Sequence, residues 1–141
     1  MRFTRSEIND VDFTNDGIEA NYVIINTVGC YAGAFDNRGT VSYGDYDCIT
    51  ETMLSIEHLA VACLVNSRYG WFEEGTTDGP SHHFQREFFD AVFTEELTTL
   101  GEANADSKDD TAPFIDPPGE YESGARRWCL YTPVSYTHLR A

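Results

Sequence analysis

The sequence predicts an α/β domain on a mainly parallel sheet, and three observations carry that reading. Residues 21 to 28, NYVIINTV, and Leu59 to Val65, LAVACLV, are short β-branched, apolar runs of the kind covered on both faces of a sheet. Between them Ile49, Met53 and Ile56 place apolar groups along one side of a short helix, and strand, helix, strand in this order imply a parallel pair. Further on, Phe84, Phe88 and Val92 recur four apart beside Phe89, Phe93 and Leu97, a stripe wide enough to lie on a sheet.

The elements follow in order. The first twenty residues are polar and acidic, with Phe3, Ile8, Val11 and Phe13 as anchors of a short helix or turn. After the first strand, residues 29 to 47 are rich in glycine and acidic side chains and read as a long loop. Asp47 is placed to cap the crossover helix, with Glu51 in its first turn at the positive end of the dipole, and Cys48 opens it. Behind the second strand, NSRYGWFEEGTTDGP is a glycine-rich loop carrying a bulky aromatic, and loops this long are usually functional. Pro80 suits the first turn of the phenylalanine helix. Gly101 marks that helix's end or a kink before the acidic, helix-compatible EANADSKDD. Residues 110 to 124 form an irregular connection, and Trp128 to Tyr131 read as a third strand. The final PVSYTHLRA, residues 133 to 141, is similar to translated sequencing-adapter read-through and is set outside the fold.

A chain of 141 residues has room for one domain with a modest core. Nine basic against twenty-four acidic side chains give a net charge of −15, which repels phosphate backbones and anionic lipid head groups, so nucleic acid is excluded as a partner. No stretch approaches the roughly 18 apolar residues of a membrane span, so no membrane insertion is expected, and the start lacks the layout of a secretion signal. With 41% hydrophobic and 13% aromatic residues the chain should nevertheless fold. None of the four cysteines forms a CxxC pair, so no zinc site is expected. Cys63 and Cys129 lie in apolar runs and read as packing residues.

Cys30 carries the chemistry. In a parallel sheet the loops leaving the carboxyl ends of the strands share one rim, where ligands bind. Cys30 follows the first strand by two residues, and Tyr69, Gly70 and Trp71 follow the second, so a nucleophile is expected beside a pocket wall. A thiol attacks a carbonyl as thiolate, and the resulting oxyanion needs backbone amides, of which the Cys30 amide is one candidate. Small Gly29, Ala32 and Gly33 leave space for a peptide.

VGCYAGAFDN, then VACLVNSRYGW, the GTTDGP loop, the phenylalanine-rich helix and LGEANADSKDD together resemble gingipain-like cysteine peptidases over about residues 1 to 132. The resemblance implies a three-layer caspase-type sheet and peptide or protein substrates. It also implies that Cys30 is the nucleophile and contributes its amide to the oxyanion hole, and that Tyr69, Gly70 and Trp71 line the pocket for the residue before the cleaved bond. The family's general base is a histidine in a His-Gly pair on the strand before the cysteine strand, and no histidine precedes Cys30. The family's Gly-Asp-Pro continuation is also missing. The expectation is therefore the carboxyl-terminal part of a catalytic domain, its sheet incomplete at the amino-terminal side, inactive alone. Extracellular or cell-surface location follows from the resemblance and the acidic composition.

Other readings stand beside this one. His82 and His83, in the first turn of the phenylalanine helix, are stand-in bases that the dipole keeps neutral, whereas His58 falls at the wrong end of the sheet. Asp36, Asn37, Asp45 and Asp47 are hard oxygen ligands suited to calcium, although their spacing fits no EF-hand, and no cofactor is otherwise expected. A catalytically inactive, peptidase-like surface-binding module is the alternative to the enzyme.

Overall fold

A computed structural model describes residues 5–115 and 133–137. Its elements run β1 (Val23–Thr27), α1 (Ile49–Ser55), β2 (Ala60–Asn66), α2 (Pro80–Phe93), α3 (Leu100–Thr111) and β3 (Pro133–Thr137). The chain divides into two compact units, residues 1–68 with 134–141, and residues 69–133.

In the first unit β1 and β2 pair in parallel, as the strand, helix, strand order requires, from Val23 opposite Ala60 to Thr27 opposite Val65. The register slips by one residue after Val23, because Ile24 faces Ala62 and Val61 is left as a bulge on β2. Leu59, immediately before β2, adopts a left-handed backbone with φ of 95° while its carbonyl accepts from the Val23 amide. A β-branched or bulky side chain rarely tolerates this region, so the entry to β2 is strained. Ile8, Leu54, Leu59, Ala60, Cys63 and Val65 form the buried cluster, with Phe13, Val23, Ile25 and Met53 packed against it.

Several expectations hold in this unit and several need correction. Cys63 is fully buried, consistent with a packing role. Ile8 and Phe13 anchor the amino-terminal segment, which forms a 3-10 turn at Arg5–Glu7, but Val11 is exposed. The strand expected to be covered on both faces is not, because Ile24 is 54% exposed; among the described residues the order β1-β2-β3 also leaves β1 at an edge. The helix cap is Cys48 and not Asp47. The Cys48 amide donates to the Glu51 carboxylate at 2.8 Å, completing a reciprocal capping box with the thiol. β3 falls within the segment set outside the fold. Its residues Val134, Tyr136 and Thr137 are strong strand formers, Pro133 stands at the first position, and the strand joins the sheet next to β2. The expected strand at Trp128 to Tyr131, with Cys129, lies outside the described residues.

In the second unit α2 begins at Pro80, as expected, and packs against α3. Of its two phenylalanine rows only one is covered. Phe84 and Phe88 are buried, whereas Phe89 and Phe93 stack on each other at 6.1 Å with Phe93 76% exposed. Gly101 neither ends nor kinks this helix. It occupies the first turn of the separate helix α3, capped by Thr99, whose hydroxyl accepts from the Glu102 amide at 3.3 Å. Ala103, Ser107 and Thr111 recur four apart on the buried side of α3. The Ser107 and Thr111 hydroxyls donate to the carbonyls of Asn104 and Ser107, so these buried polar groups cost little.

Leu54 is 2% exposed at the centre of the first core, so Leu54→Ala should lower the unfolding free energy by about 2–5 kcal/mol in a denaturant titration. Phe93→Ala should change it by less than about 0.5 kcal/mol.

Candidate active site

Cys30 stands three residues beyond β1, exposed on a turn that begins at the strand's carboxyl end. Gly29 precedes it with its amide donating to Thr27 Oγ1 at 3.0 Å. The unusual backbone is not at this glycine but at Tyr31, whose φ of 58° is left-handed. A non-glycine residue pays roughly 1–2 kcal/mol there, and such strain persists only where surrounding contacts over-determine it.

Those contacts are present, within the first unit, on two sides. From β2, the Arg68 carbonyl accepts the Tyr31 amide at 2.8 Å and the Asn66 carbonyl accepts the Gly33 amide at 2.9 Å. The Asn66 side chain, on a residue only 4% exposed, donates to the Val28 carbonyl at 3.1 Å. Arg68 then grips Asp36 with two guanidinium nitrogens at 3.1 and 2.7 Å. From α1, the buried Thr50 hydroxyl donates to the Ala32 carbonyl at 2.6 Å and its amide reaches the same oxygen at 3.3 Å. The exit of β1 is therefore fastened to the exit of β2 and to the start of α1, which is the shared rim that parallel pairing implies. Gly33 does not leave open space as its size suggested. It is buried and consumed in this fastening, whereas Ala32 faces the cleft described next.

Cys30, Tyr31, Ala32 and Cys48 border a cleft of about 450 Å³. Its far wall is the loop after the cysteine turn, which folds back as a small hairpin with Arg38 bridged to Tyr43 and the Gly39 amide donating to Ser42. The two cleft thiols differ in environment. Burial pushes the Cys48 thiol up to about 11, and its capping contacts with Glu51 act with smaller effect. Cys48 is therefore a protonated cap near neutrality. The Asp36 carboxyl is held below its ordinary value by the Arg68 guanidinium.

Of the oxygen ligands proposed from sequence, Asp36 is thus engaged by an arginine, and the Asp47 carbonyl accepts from Arg5 at 2.8 Å. Among the described residues, three carboxylates approach closely at Glu95, Asp106 and Asp110 in the second unit, with ligand atoms within 4.8 Å of one another. Their mutual repulsion, from Asp106 first, raises the Glu95 pKa.

In the second unit the Tyr69 and Trp71 rings meet edge to face at 6.4 Å. Trp71 is tied to the start of α2, its amide donating to Ser81 Oγ at 2.9 Å and its carbonyl accepting from the Ser81 amide at 3.1 Å. The loop between them closes on Gly79, where a Cβ would come within 2.5 Å of the Glu73 nitrogen. Gly75 has φ of 83° and open space around it, so it serves the turn itself. His82 and His83 occupy the first turn of α2 as expected, with His83 Nδ1 2.9 Å from Arg86 Nη2 and 3.3 Å from Asp78. His58 sits before β2 with Nδ1 3.1 Å from Asp10. At roughly 3.3 Å per strand residue it is a strand length from Cys30, at the opposite end of the sheet.

Sequence reasoning missed Asn66, Arg68, Thr50 and the left-handed Tyr31. A signal existed for the first: an asparagine closing an otherwise apolar buried strand must find partners, and here they are the cysteine turn.

The fold and this turn define a class, an α/β domain presenting an exposed thiol at the carboxyl end of a parallel strand. The chain belongs to peptidase family C25, the gingipain family, whose model matches residues 2–134. Cysteine-type peptidase chemistry on protein substrates is the activity of that family. No curated protein and no solved structure matches the chain. Among the described residues no helix is long and apolar enough to cross a membrane.

Asn66→Ala should remove the side-chain anchor on the Val28 carbonyl, leaving the backbone bond to Gly33, and lower stability by about 1–3 kcal/mol, read by denaturant melt. Acid acts on the same region through Asp36. Its folded pKa lies below the unfolded value of 3.8, so its contribution is complete above 3.8 and fades as pH falls through the lower folded value. Asp36→Asn should flatten that acid limb of the stability profile.

Proposed function

We propose that this domain hydrolyses peptide bonds as a cysteine-type endopeptidase, with Cys30 as nucleophile. The observation that carries the reading is the exposed Cys30, on a strained turn held from two sides, at the edge of a cleft large enough for a peptide segment. The Cys30 thiolate attacks the scissile carbonyl, the carbon–nitrogen bond breaks, and the leaving amine takes the proton that the base removed from the thiol. Water then attacks the thioester, releasing the acid and returning the thiol. The Cys30 amide serves as an oxyanion donor on this turn, where it lies next to the attacking sulfur.

The base is a histidine on a strand beside β1. The edge position of β1 and its half-exposed Ile24 support this, because such an edge pairs readily with a further strand in a complete caspase-type, three-layer sheet. Residues 1–141 alone are then a thiol and a cleft without turnover. Display outside the cell belongs to the same reading.

Alkylation with iodoacetamide at mildly acidic pH tests the assignment of the nucleophile. Cys48, with its pKa near 11, should react at least about a hundredfold more slowly than Cys30, read by peptide mass mapping. Equal rates would defeat the proposal and favour an inactive binding module. With the base strand present, Cys30→Ala should reduce kcat by about three orders of magnitude or more.

A further inference from the structure

The cleft beside Cys30 carries a charge opposite to that of the chain. Four arginines lie among the described residues: Arg5, Arg38, Arg68 and Arg86. Arg68 and Arg86 are ion-paired, with Asp36 and Asp78. Arg5 and Arg38 both line the cleft, and among the described residues neither is paired with a carboxylate. In a chain with twenty-four acidic and nine basic side chains, two guanidinium groups that border one cleft with no carboxylate partner among the described residues are unexpected from composition.

Both are held in place by means other than ion pairing. The Arg5 guanidinium lies 4.0 Å from the centroid of the Tyr46 ring and donates to the Asp47 carbonyl oxygen. The Arg38 guanidinium lies 5.0 Å from the centroid of the Tyr43 ring, on the hairpin that forms the far wall. Stacking on a ring fixes the plane of a guanidinium and leaves its in-plane donors for an anion, the geometry in which arginine recognises carboxylates. One acidic residue, Asp47, also lines the cleft, so the count there is two cations to one anion. The Cys48 thiol is protonated and adds no negative charge.

We infer that this cleft receives an acidic side chain of the substrate peptide, an aspartate or glutamate near the bond that Cys30 attacks, held by Arg5 and Arg38. The inference rests on the peptidase reading for the word substrate, and on the cleft alone for the anion. The overall negative field slows the approach of acidic proteins, so the site selects an acidic position within an otherwise neutral or basic segment.

Two measurements separate the inference from the reading beneath it. The first compares alkylation of Cys30 by iodoacetate and by iodoacetamide. The anionic to neutral rate ratio should fall about fivefold in the Arg5→Gln/Arg38→Gln variant, and remain near the original in Arg5→Lys/Arg38→Lys and in the control Arg86→Gln. An unchanged ratio in the double glutamine variant overturns the inference. Melting curves of the same variants establish that they are folded. The second uses bromoacetyl peptides with blocked carboxyl ends, differing only in glutamate or glutamine, to label Cys30. Saturable labelling about tenfold faster with glutamate, lost in the double glutamine variant, supports the inference. Saturable labelling at equal rates overturns the acidic preference and leaves the peptidase reading standing. Non-saturable labelling by both peptides, with the iodoacetate effect intact, overturns the peptidase reading and leaves an anion site in the cleft.

Discussion

The structure around Cys30 depends on the fastening of one strand exit to another. A left-handed tyrosine directly after the cysteine would relax if the turn were free. It persists because its own amide is donated to Arg68, the Gly33 amide to Asn66, and the Ala32 carbonyl is occupied by Thr50. Each of these partners is itself fixed. Asn66 ends a buried strand, Thr50 is a fully buried helix residue, and Arg68 is anchored through Asp36. The result is an exposed sulfur on an immobile base, which is the arrangement that a pre-organised site needs.

Electrostatics follows a similar division of labour. The acidic side chains give the surface its sign, but the cleft beside the thiol carries two arginines against one acidic residue, Asp47. Asp36 is taken up by Arg68, Cys48 is kept protonated by burial, and Arg5 and Arg38 are stacked on tyrosines. Net charge therefore describes solubility and long-range encounter, while local placement describes what the cleft can hold.

Much of the fold could be read from the chain. Periodicity and apolar runs located β1, α1, β2 and the start of α2 to within a residue or two, because the apolar runs are short and Pro80 marks a helix start, whereas the end of α2 at Phe93 was missed. The position of Cys30 after a parallel strand was legible for the same reason. What was not legible depends on long-range partners. Tyr31 gives no hint of a positive φ, since the cause lies in residues 66 and 68. The exposure of Ile24 depends on which strands neighbour β1, and the choice of Cys48 over Asp47 as cap depends on where Glu51 folds back. The outer phenylalanine row looked buried because periodicity reports spacing around a helix and not how much of its circumference is covered.

Gly79 has an implication for how such a domain changes over evolutionary time. Main-chain atoms of Phe72 and Glu73 pass so near it that any methyl group would collide, so residues 72 and 79 form a cinched neck beneath residues 74 to 78. Above that neck Gly75 lies in open space, and the segment's far end is tied down through Asp78, which pairs with Arg86 and His83. Residues 74 to 77 behave as an exchangeable cassette: they can be rewritten or lengthened while Asp78, Trp71 and the first turn of α2 stay where Arg86 and Ser81 hold them. New binding preferences could accumulate there without touching the turn that carries the thiol.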